Sequence, residues 1–228
     1  MGEVHARSYA QLRSRFGDEA PDIRLVVCAD DVEARAEGSR AKLGFDKCVT
    51  DWRKVIQDDE VTAVIVASPN ATHREICEMA SANGKHVFCE KPVGRCPAET
   101  LEIAAAARDS GVHTFTGFCY RWSPVVQELK KLIEDGRLGD LTHYRGRFFC
   151  GYGHNPHRVL SWRFQKEHAG FGVLGDLMSH TLDMALMLAG PISEVVSQQE
   201  TFTPQRPLPS STGTHFSEQS GGPVGPVS

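Results

Sequence analysis

Short apolar runs alternate with longer amphipathic stretches over residues 1–117. The apolar runs predict strands at residues 22–29, 61–68, 85–89 and 112–116. The longer stretches predict helices at residues 5–16, 31–43, 72–83 and 97–110. Strands separated by helices in this way indicate right-handed βαβ units and a parallel sheet with helices on both faces. The expected fold class is therefore α/β, a doubly wound architecture of the nucleotide-binding type.

The pattern changes after Gly117, and residues 118–203 are expected to open a second, α+β domain. Helices are predicted at residues 123–135 and 174–188, and strands at residues 141–150 and 194–202. From residue 204 to residue 228 the chain is mostly Pro, Gly, Ser and Thr, with almost nothing to bury. We expect a flexible tail there.

Composition and charge give no support to some classes of partner. The 228 residues carry a net charge of −4, with 40% hydrophobic and 24% charged residues, as in ordinary globular proteins. This charge gives no reason to expect nucleic acid or an anionic membrane surface as a partner. No apolar run is long enough to span a bilayer. The seven cysteines are scattered without a CxxC pair, so we expect reduced thiols in a cytoplasmic protein and no metal site.

Asp30 stands at the carboxyl end of the first predicted strand. In dinucleotide-binding folds an acid at this position binds the ribose hydroxyls of the adenosine half, and it repels the extra phosphate of NADP. The alternative is a helix N-cap, a common role for aspartate before a helical run. Arg35 lies close enough to stack on an adenine or to tolerate a phosphate, which weakens the preference for NAD.

Glu90 and Lys91 directly follow the predicted strand that ends at Cys89. Ligands of open α/β sheets bind at the carboxyl ends of the strands. A lysine placed there can hold a substrate hydroxyl and stabilise negative charge that develops on its oxygen. Taken alone, a Glu-Lys-Pro tripeptide is a weak signal, because most such lysines are solvated surface residues.

The apolar helix predicted at residues 174–188 carries a polar stripe. Asp176, His180 and Asp183 stand at positions i, i+4 and i+7, so they share one face. Carboxylates one turn away on either side would raise the proton affinity of the histidine, which makes it a candidate general base. The alternative is a surface histidine near a helix start, with Asp176 favouring the helix N-terminus.

Seven stretches of the sequence together resemble the Gfo/Idh/MocA family of oxidoreductases, which includes inositol dehydrogenases and glucose–fructose oxidoreductase. They occur in the family's order over residues 1–203: MGEVHA, LVVCAD, AVIVASPNATHREI, HVFCEKPVG, GFCYRW, SWRF and AGFGVLGDLMSHTLDMAL. The resemblance implies a Rossmann-like fold and a nicotinamide cofactor, NAD in preference to NADP. It also implies a homo-oligomer in the full-length form.

The resemblance assigns roles to matching positions. The residues implied in catalysis are Lys91, His180 and Asp176. Substrate binding is implied for Asp183, and Tyr120 and Arg121 are expected to face the same pocket. Cofactor binding is implied for Gly2, Asp30, Arg35, Ser68, Pro69, Asn70, His73, Glu90, Lys91, Trp162 and Arg163.

The implied reaction is hydride transfer between nicotinamide and a secondary alcohol of a sugar, cyclitol or related polyol. His180 would remove the hydroxyl proton while Lys91 steadies the oxygen, so we expect both side chains to converge on one cleft. Two alternatives stay open. The chain could be a non-catalytic regulator that binds the cofactor on the same fold, although retention of Lys91 and His180 argues against this, or it could be an inactive fragment.

Family members begin with a strand and a GxGxxG turn, and Gly2 aligns with the last glycine of that motif. We therefore expect a Rossmann-like sheet that lacks its first strand, with a gap between the strands near Ala29 and Ser68. The second domain is likewise expected to be partial. A sheet without its central strand loses much of its apolar burial, so we expect the chain, made as written, to be unstable or to bind cofactor poorly.

Overall fold

The computed structural model describes residues 1–210, 217–219 and 221–228. These residues divide into two units. Unit 1 comprises Met1–Ser68, Thr72–Val93 and Pro97–Thr116, and unit 2 comprises Pro69–Ala71, Gly94–Cys96 and the described part of Gly117–Ser228.

The strands of unit 1 all pair in parallel. They are β1 (Val27–Ala29), β2 (Lys47–Val49), β3 (Ala63–Val66), β4 (His86–Cys89) and β5 (Thr114–Thr116). β1 pairs with β2, and a separate ladder has the order β3-β4-β5. The parallel α/β sheet expected from the sequence is confirmed, and its hydrogen-bonded ladder is interrupted between β1 and β3, where the gap was expected.

Six helices accompany these strands. They are α1 (Gly2–Ala10), α2 (Leu12–Phe16), α3 (Glu33–Leu43), α4 (Arg53–Gln57), α5 (Asn70–Ala82) and α6 (Pro97–Ser110). Gly84 and Gly111 follow α5 and α6 with φ of 70° and 67°, a left-handed conformation that glycine adopts without steric cost. The sequence analysis missed β2 and α4, because each is too short to show a hydrophobic period.

The core of unit 1 is built from β-branched and small side chains. Buried residues of the strands, of the segments just before β1 and β3, and of α4, α5 and α6 form one apolar cluster: Val26, Ile56, Val61, Val64, Val66, Ile76, Cys77, Ala80, Val87, Cys89 and Ile103. Full burial of a valine or isoleucine side chain contributes about 1.5–3 kcal/mol. This core fixes the carboxyl ends of β3 and β4, from which the candidate site residues project.

Unit 2 contains fewer regular elements. Its helices are α7 (Pro124–Glu134), α8 (Lys166–Ala169) and α9 (Ser179–Ala189), and a π-helical turn, Leu174–Met178, runs directly into α9. The sequence analysis predicted one continuous α-helix over residues 174–188. That interpretation was wrong for the first five residues, because a π turn has a different period from an α-helix.

The strands predicted at residues 141–150 and 194–202 are not formed. Nearly all residues of both segments are exposed. Alternation of apolar and polar residues gives a segment the propensity for a strand, but a strand needs a neighbour to pair with. No ladder partner for either segment is present among the described residues.

The predicted flexible tail is partly ordered. β6 (Gln205–Pro207) and β7 (Val224–Pro226) pair in an antiparallel ladder. Arg206 is buried and donates to the backbone carbonyls of Asn155 and Gly153, over distances of 2.8 and 2.6 Å. These contacts supply the anchoring that composition could not reveal. Residues 211–216 and 220 of the predicted tail lie outside the described residues.

Candidate active site

The carboxyl ends of β3 and β4 lie side by side. The backbone N–H of Glu90 donates to the carbonyl of Val66 over 2.8 Å, one residue beyond β4. Lys91 follows; it is half-buried, and its N–H donates to Glu90 Oε2 over 3.3 Å. The residue expected to hold the substrate oxygen therefore stands at the edge of the sheet where α/β folds bind ligands.

Glu90 is 8% exposed and pairs with a residue that the sequence analysis missed. Its Oε1 accepts a hydrogen bond of 2.7 Å from His5 Nε2. Burial acts to raise the pKa of Glu90, but the hydrogen bond and charge of His5, with the N–H and charge of Lys91, lower that pKa below its ordinary value. The His5 ring also meets Phe88 edge-on at 4.8 Å. The pair holds the first turns of α1 against the carboxyl edge of the sheet.

The start of α1 leaves room for a phosphate group. A Cβ added at Gly2 would meet no atom within 4 Å, so packing within the protein does not require glycine at the first residue of α1. Open space beside the first turn of a helix suits a phosphate group, because free N–H groups and the helix dipole point there.

Asp30 directly follows β1, and it is not the N-cap of α3, because that position is Val32. Its Oδ1 accepts the N–H of Val32 over 3.0 Å and lies 4.0 Å from Arg35 Nη1. Its Oδ2 has no hydrogen-bond partner among the described residues. The turn contact with Val32 and the ribose-binding role are compatible, since one carboxylate oxygen accepts from the backbone and the other is open.

The loop after β3 is held by polar contacts. Ser68 Oγ and Thr72 Oγ1 lie 2.6 Å apart, and Asn70 is buried with its side-chain amide donating to the carbonyl of Ala169 over 3.0 Å. Pro69 lies between Ser68 and Asn70 in the chain. The amide of Asn70 is thus engaged with backbone, while the segment itself stays at the carboxyl edge of β3.

His73 does not lie where a cofactor could touch it. Its exposed fraction is 0%, and both ring nitrogens face backbone carbonyls of its own unit. The expectation that His73 binds cofactor directly is corrected here. The spacing of a histidine after a strand shows that it is near the sheet edge, but it does not show whether the ring faces the ligand or the core.

In unit 2, His180 is 8% exposed and sits among three aromatic rings. Tyr120 meets its ring edge-on at 4.8 Å, Phe118 does so at 5.8 Å, and Phe148 stacks on it at 6.0 Å with an interplanar angle of 13°. We call these three residues the aromatic cage. The cage fixes the plane of the imidazole, and it excludes the alternative of a solvated surface histidine.

Asp176 lies within the π turn that precedes α9. Its Oδ2 is 3.9 Å from Arg163 Nε, and the Arg163 guanidinium stacks on the ring of Trp162 at 4.2 Å. Arg163 and Trp162, which were expected to contact the cofactor, are therefore neighbours of Asp176, which was expected beside the general base. π turns occur frequently at functional sites, because the extra residue reorients side chains that an α-helix would align.

Asp183 and Arg121 bind each other. Arg121 Nε lies 2.8 and 2.7 Å from the two carboxylate oxygens, and Nη2 lies 2.6 Å from Oδ1. The hydrogen bond to Asp183 raises the pKa of Arg121 above its ordinary value. Both residues were expected to bind substrate, but here the carboxylate is neutralised by the guanidinium. The two residues are 62 positions apart, so no local sequence pattern predicts that they pair.

A search for other chemistry within the described residues returned two negative findings. No group of three or more His, Cys, Asp or Glu side chains among them is arranged to hold a metal ion. No helix in the same part of the chain has the length and apolarity required to cross a membrane.

Two family models match the chain. One is described as "Oxidoreductase family, NAD-binding Rossmann fold" and covers residues 1–118, and the other, the GFO/IDH/MocA C-terminal domain, covers residues 126–221. The chain belongs to the Gfo/Idh/MocA family. The expected family and its Rossmann-like α/β fold are thereby confirmed.

Similar members of the Gfo/Idh/MocA family include proteins named as dehydrogenases. Levoglucosan dehydrogenase of Pseudarthrobacter phenanthrenivorans is 37% identical over 100% of this chain and 59% of its own length. The scyllo-inositol 2-dehydrogenase (NAD(+)) of Bacillus subtilis is 31% identical over 83% of this chain and 51% of its own length.

A solved structure of levoglucosan dehydrogenase, in complex with NADH and L-sorbose, has a TM-score of 0.91 and 36% identity. The match covers 100% of this chain and 58% of that one. The chain thus spans between about half and three fifths of the length of the curated relatives it matches.

Proposed function

We propose that this protein is an NAD(P)-dependent oxidoreductase that acts on a secondary alcohol of a sugar, cyclitol or related polyol. The observation that carries the proposal is Lys91, placed directly after the carboxyl end of β4 and beside Glu90. In a Gfo/Idh/MocA chain, a lysine at this edge stands where the reacting oxygen and the nicotinamide must meet.

The residues of unit 1 would hold the cofactor. In this proposal Asp30 binds the ribose hydroxyls through its open oxygen, the first turn of α1 at Gly2 receives the pyrophosphate, and residues 68–70 line its path. When bound, the nicotinamide supplies the acceptor for the hydride that leaves the substrate carbon. The carboxylate of Asp30 opposes a 2′-phosphate, so NAD is preferred over NADP.

Two side chains of this protein act on the substrate hydroxyl. His180 accepts its proton, with Asp176 as the acidic neighbour, while the ammonium of Lys91 stabilises negative charge that develops on the oxygen. The aromatic cage keeps the imidazole in one plane, which favours a single direction of proton transfer. In the reverse direction His180 returns the proton to the carbonyl oxygen.

A cyclic polyol is the substrate class that the relatives support. Two of them are named for levoglucosan and scyllo-inositol, which are rings that carry secondary hydroxyls. A homo-oligomeric full-length form, a cytoplasmic location and the absence of nucleic-acid or membrane partners stay predictions of the sequence analysis.

The test is a steady-state assay of the protein in its full-length form with NAD or NADP and a panel of levoglucosan, scyllo-inositol, glucose and ethanol. We expect NADH formation with at least one ring polyol, none with ethanol, and a preference for NAD of roughly tenfold or more, about 1.4 kcal/mol. Binding of NAD without turnover of any ring polyol would contradict the proposal and favour the non-catalytic regulator.

A further inference from the structure

His73 lies in the first helical turn of α5, and none of its surface is exposed. Its Nδ1 is 3.0 Å from the carbonyl oxygen of Pro92 and 3.2 Å from that of Val93. Its Nε2 is 3.0 Å from the carbonyl oxygen of Ser68. The proposed mechanism assigns no role to the His73 ring, although the ring contacts the backbone of both segments that follow β3 and β4.

The three carbonyls belong to the two loops that matter most for the site. Ser68 lies two residues beyond the end of β3, and Pro92 and Val93 directly follow Lys91. The register of β3 and β4 ends at the pair Val66 and Cys89. Beyond the ladder, the imidazole of His73 therefore continues the connection between the two strands and holds the backbone that carries Lys91.

Both ring nitrogens face backbone carbonyl oxygens, which accept hydrogen bonds and cannot donate them. A neutral imidazole has one N–H, so it can satisfy only one side of this arrangement and would direct a lone pair at the carbonyl on the other. An imidazolium has two N–H groups and satisfies both loops at once. Burial opposes the charge, but three carbonyl dipoles point their negative ends at the ring.

We propose that His73 is a positioning residue for Lys91: a doubly protonated imidazole that joins the loops after β3 and β4 by donating to both. The role of Lys91 in this inference rests on the proposed function. The protonation of His73 and its link between the two loops do not depend on that function, so both can be tested without any turnover.

The first experiment is ¹⁵N NMR of the histidine rings in the purified chain near neutral pH, with the His73 resonances assigned by comparison with His73→Gln. We expect both ring nitrogens of His73 to show the shifts and one-bond proton couplings of protonated nitrogens. A nitrogen without a proton, the signature of a neutral tautomer, would overturn the proposal. This result is independent of substrate and of turnover, and the variant serves only to assign the His73 signals.

The second experiment compares His73→Gln with His113→Gln, an exposed histidine of the same unit that serves as the control. A glutamine side chain can donate at only one of its two ends. We expect amide hydrogen exchange to accelerate at residues 68–72 and 90–94 in His73→Gln alone, with the rest of unit 1 unchanged. Exchange that is unchanged in those loops, or that accelerates uniformly across unit 1, would contradict a specific link.

The third readout is kinetic. Because a displacement of about 1 Å at a catalytic group can cost on the order of 10²-fold in rate, we expect kcat of His73→Gln to fall about 10- to 100-fold, with KM for NAD within about threefold of the unsubstituted protein. A kcat like that of His113→Gln would overturn the positioning role. If the unsubstituted protein has no turnover, the proposed function fails, and the NMR and exchange results still decide this inference.

Discussion

The loop after β4 in unit 1 and helix α9 in unit 2 hold their candidate catalytic side chains by different kinds of contact. Backbone hydrogen bonds, the His5–Glu90 pair and the ring of His73 hold the backbone at Lys91. His180 is held by the aromatic cage. Directional polar contacts fix the backbone from which a side chain projects. Packed rings fix the plane of the side chain itself.

The difference suits the two proposed chemical roles. A lysine that stabilises charge on a substrate oxygen gains from a backbone held in a fixed place. A general base must present one nitrogen in one direction, so it gains from a fixed ring. Substitutions that weaken one kind of support should therefore affect one region and leave the other unchanged.

The largest expected effect on stability is in unit 2, at the Arg121–Asp183 pair. Asp183→Asn removes the charge of a nearly buried carboxylate that accepts two hydrogen bonds from Arg121. Hydrogen bonds to charged groups contribute about 1.5–3 kcal/mol, so we expect the free energy of unfolding to fall by about 2 kcal/mol in urea denaturation. The matched control is Glu134→Gln in the exposed Lys130–Glu134 pair, which should cost less than about 0.5 kcal/mol. Equal effects of the two substitutions would show that Asp183 has no special structural role.

A smaller effect is expected when the aromatic cage loses one ring. Phe148→Leu keeps an apolar side chain but removes the stacking on His180 and the edge contact with Tyr120. Aromatic pairs contribute about 0.5–1.5 kcal/mol beyond their buried area, so the free energy of unfolding should fall by about 1 kcal/mol. The neighbouring Phe149 is 88% exposed, and Phe149→Leu should be neutral. A neutral Phe148→Leu would mean that the cage does not support His180.

The smallest effect is expected in unit 1, and it depends on pH. The pKa of Glu90 is lowered in the folded protein, so its carboxylate stabilises the fold above the ordinary pKa of 4.5, and this contribution is lost as pH falls through the lowered value. Glu90→Gln should therefore cost about 0.5–1 kcal/mol near neutral pH. The difference from the unsubstituted protein should shrink below pH 4.5. Urea denaturation at a series of pH values measures it, and a difference that grows in acid would contradict the assigned direction.

The sequence was most informative in unit 1, where strong periodicity reports local structure. The helix predicted at residues 97–110 is α6 with the same bounds, and the strand predicted at residues 85–89 is β4 with one residue fewer. β2 escaped prediction because three residues do not make a period. In unit 2 the alternation at residues 141–150 was real, but pairing is a property of two segments and cannot be inferred from one.

The sequence indicated residue types for the candidate site, but it could not predict their contacts. Lys91 and Asp30 follow strands, and that placement could be inferred from the order of elements. The pairing of His5 with Glu90 spans 85 positions, and that of Arg121 with Asp183 spans 62. Such contacts arise from the fold and leave no local pattern, which is why His5 was missed.

The central claim is the proposal that Lys91 and His180 each take part in catalysis, and the kinetics of Lys91→Met, His180→Asn and the double variant test it most directly. General acid–base catalysis contributes about 10²–10⁴-fold, so each single substitution should lower kcat with a ring polyol on that order, with KM for NAD little changed. Residues that act as a unit are not additive, so the double variant should be hardly slower than the slower single variant. Full turnover by Lys91→Met, or losses that multiply in the double variant, would contradict the account.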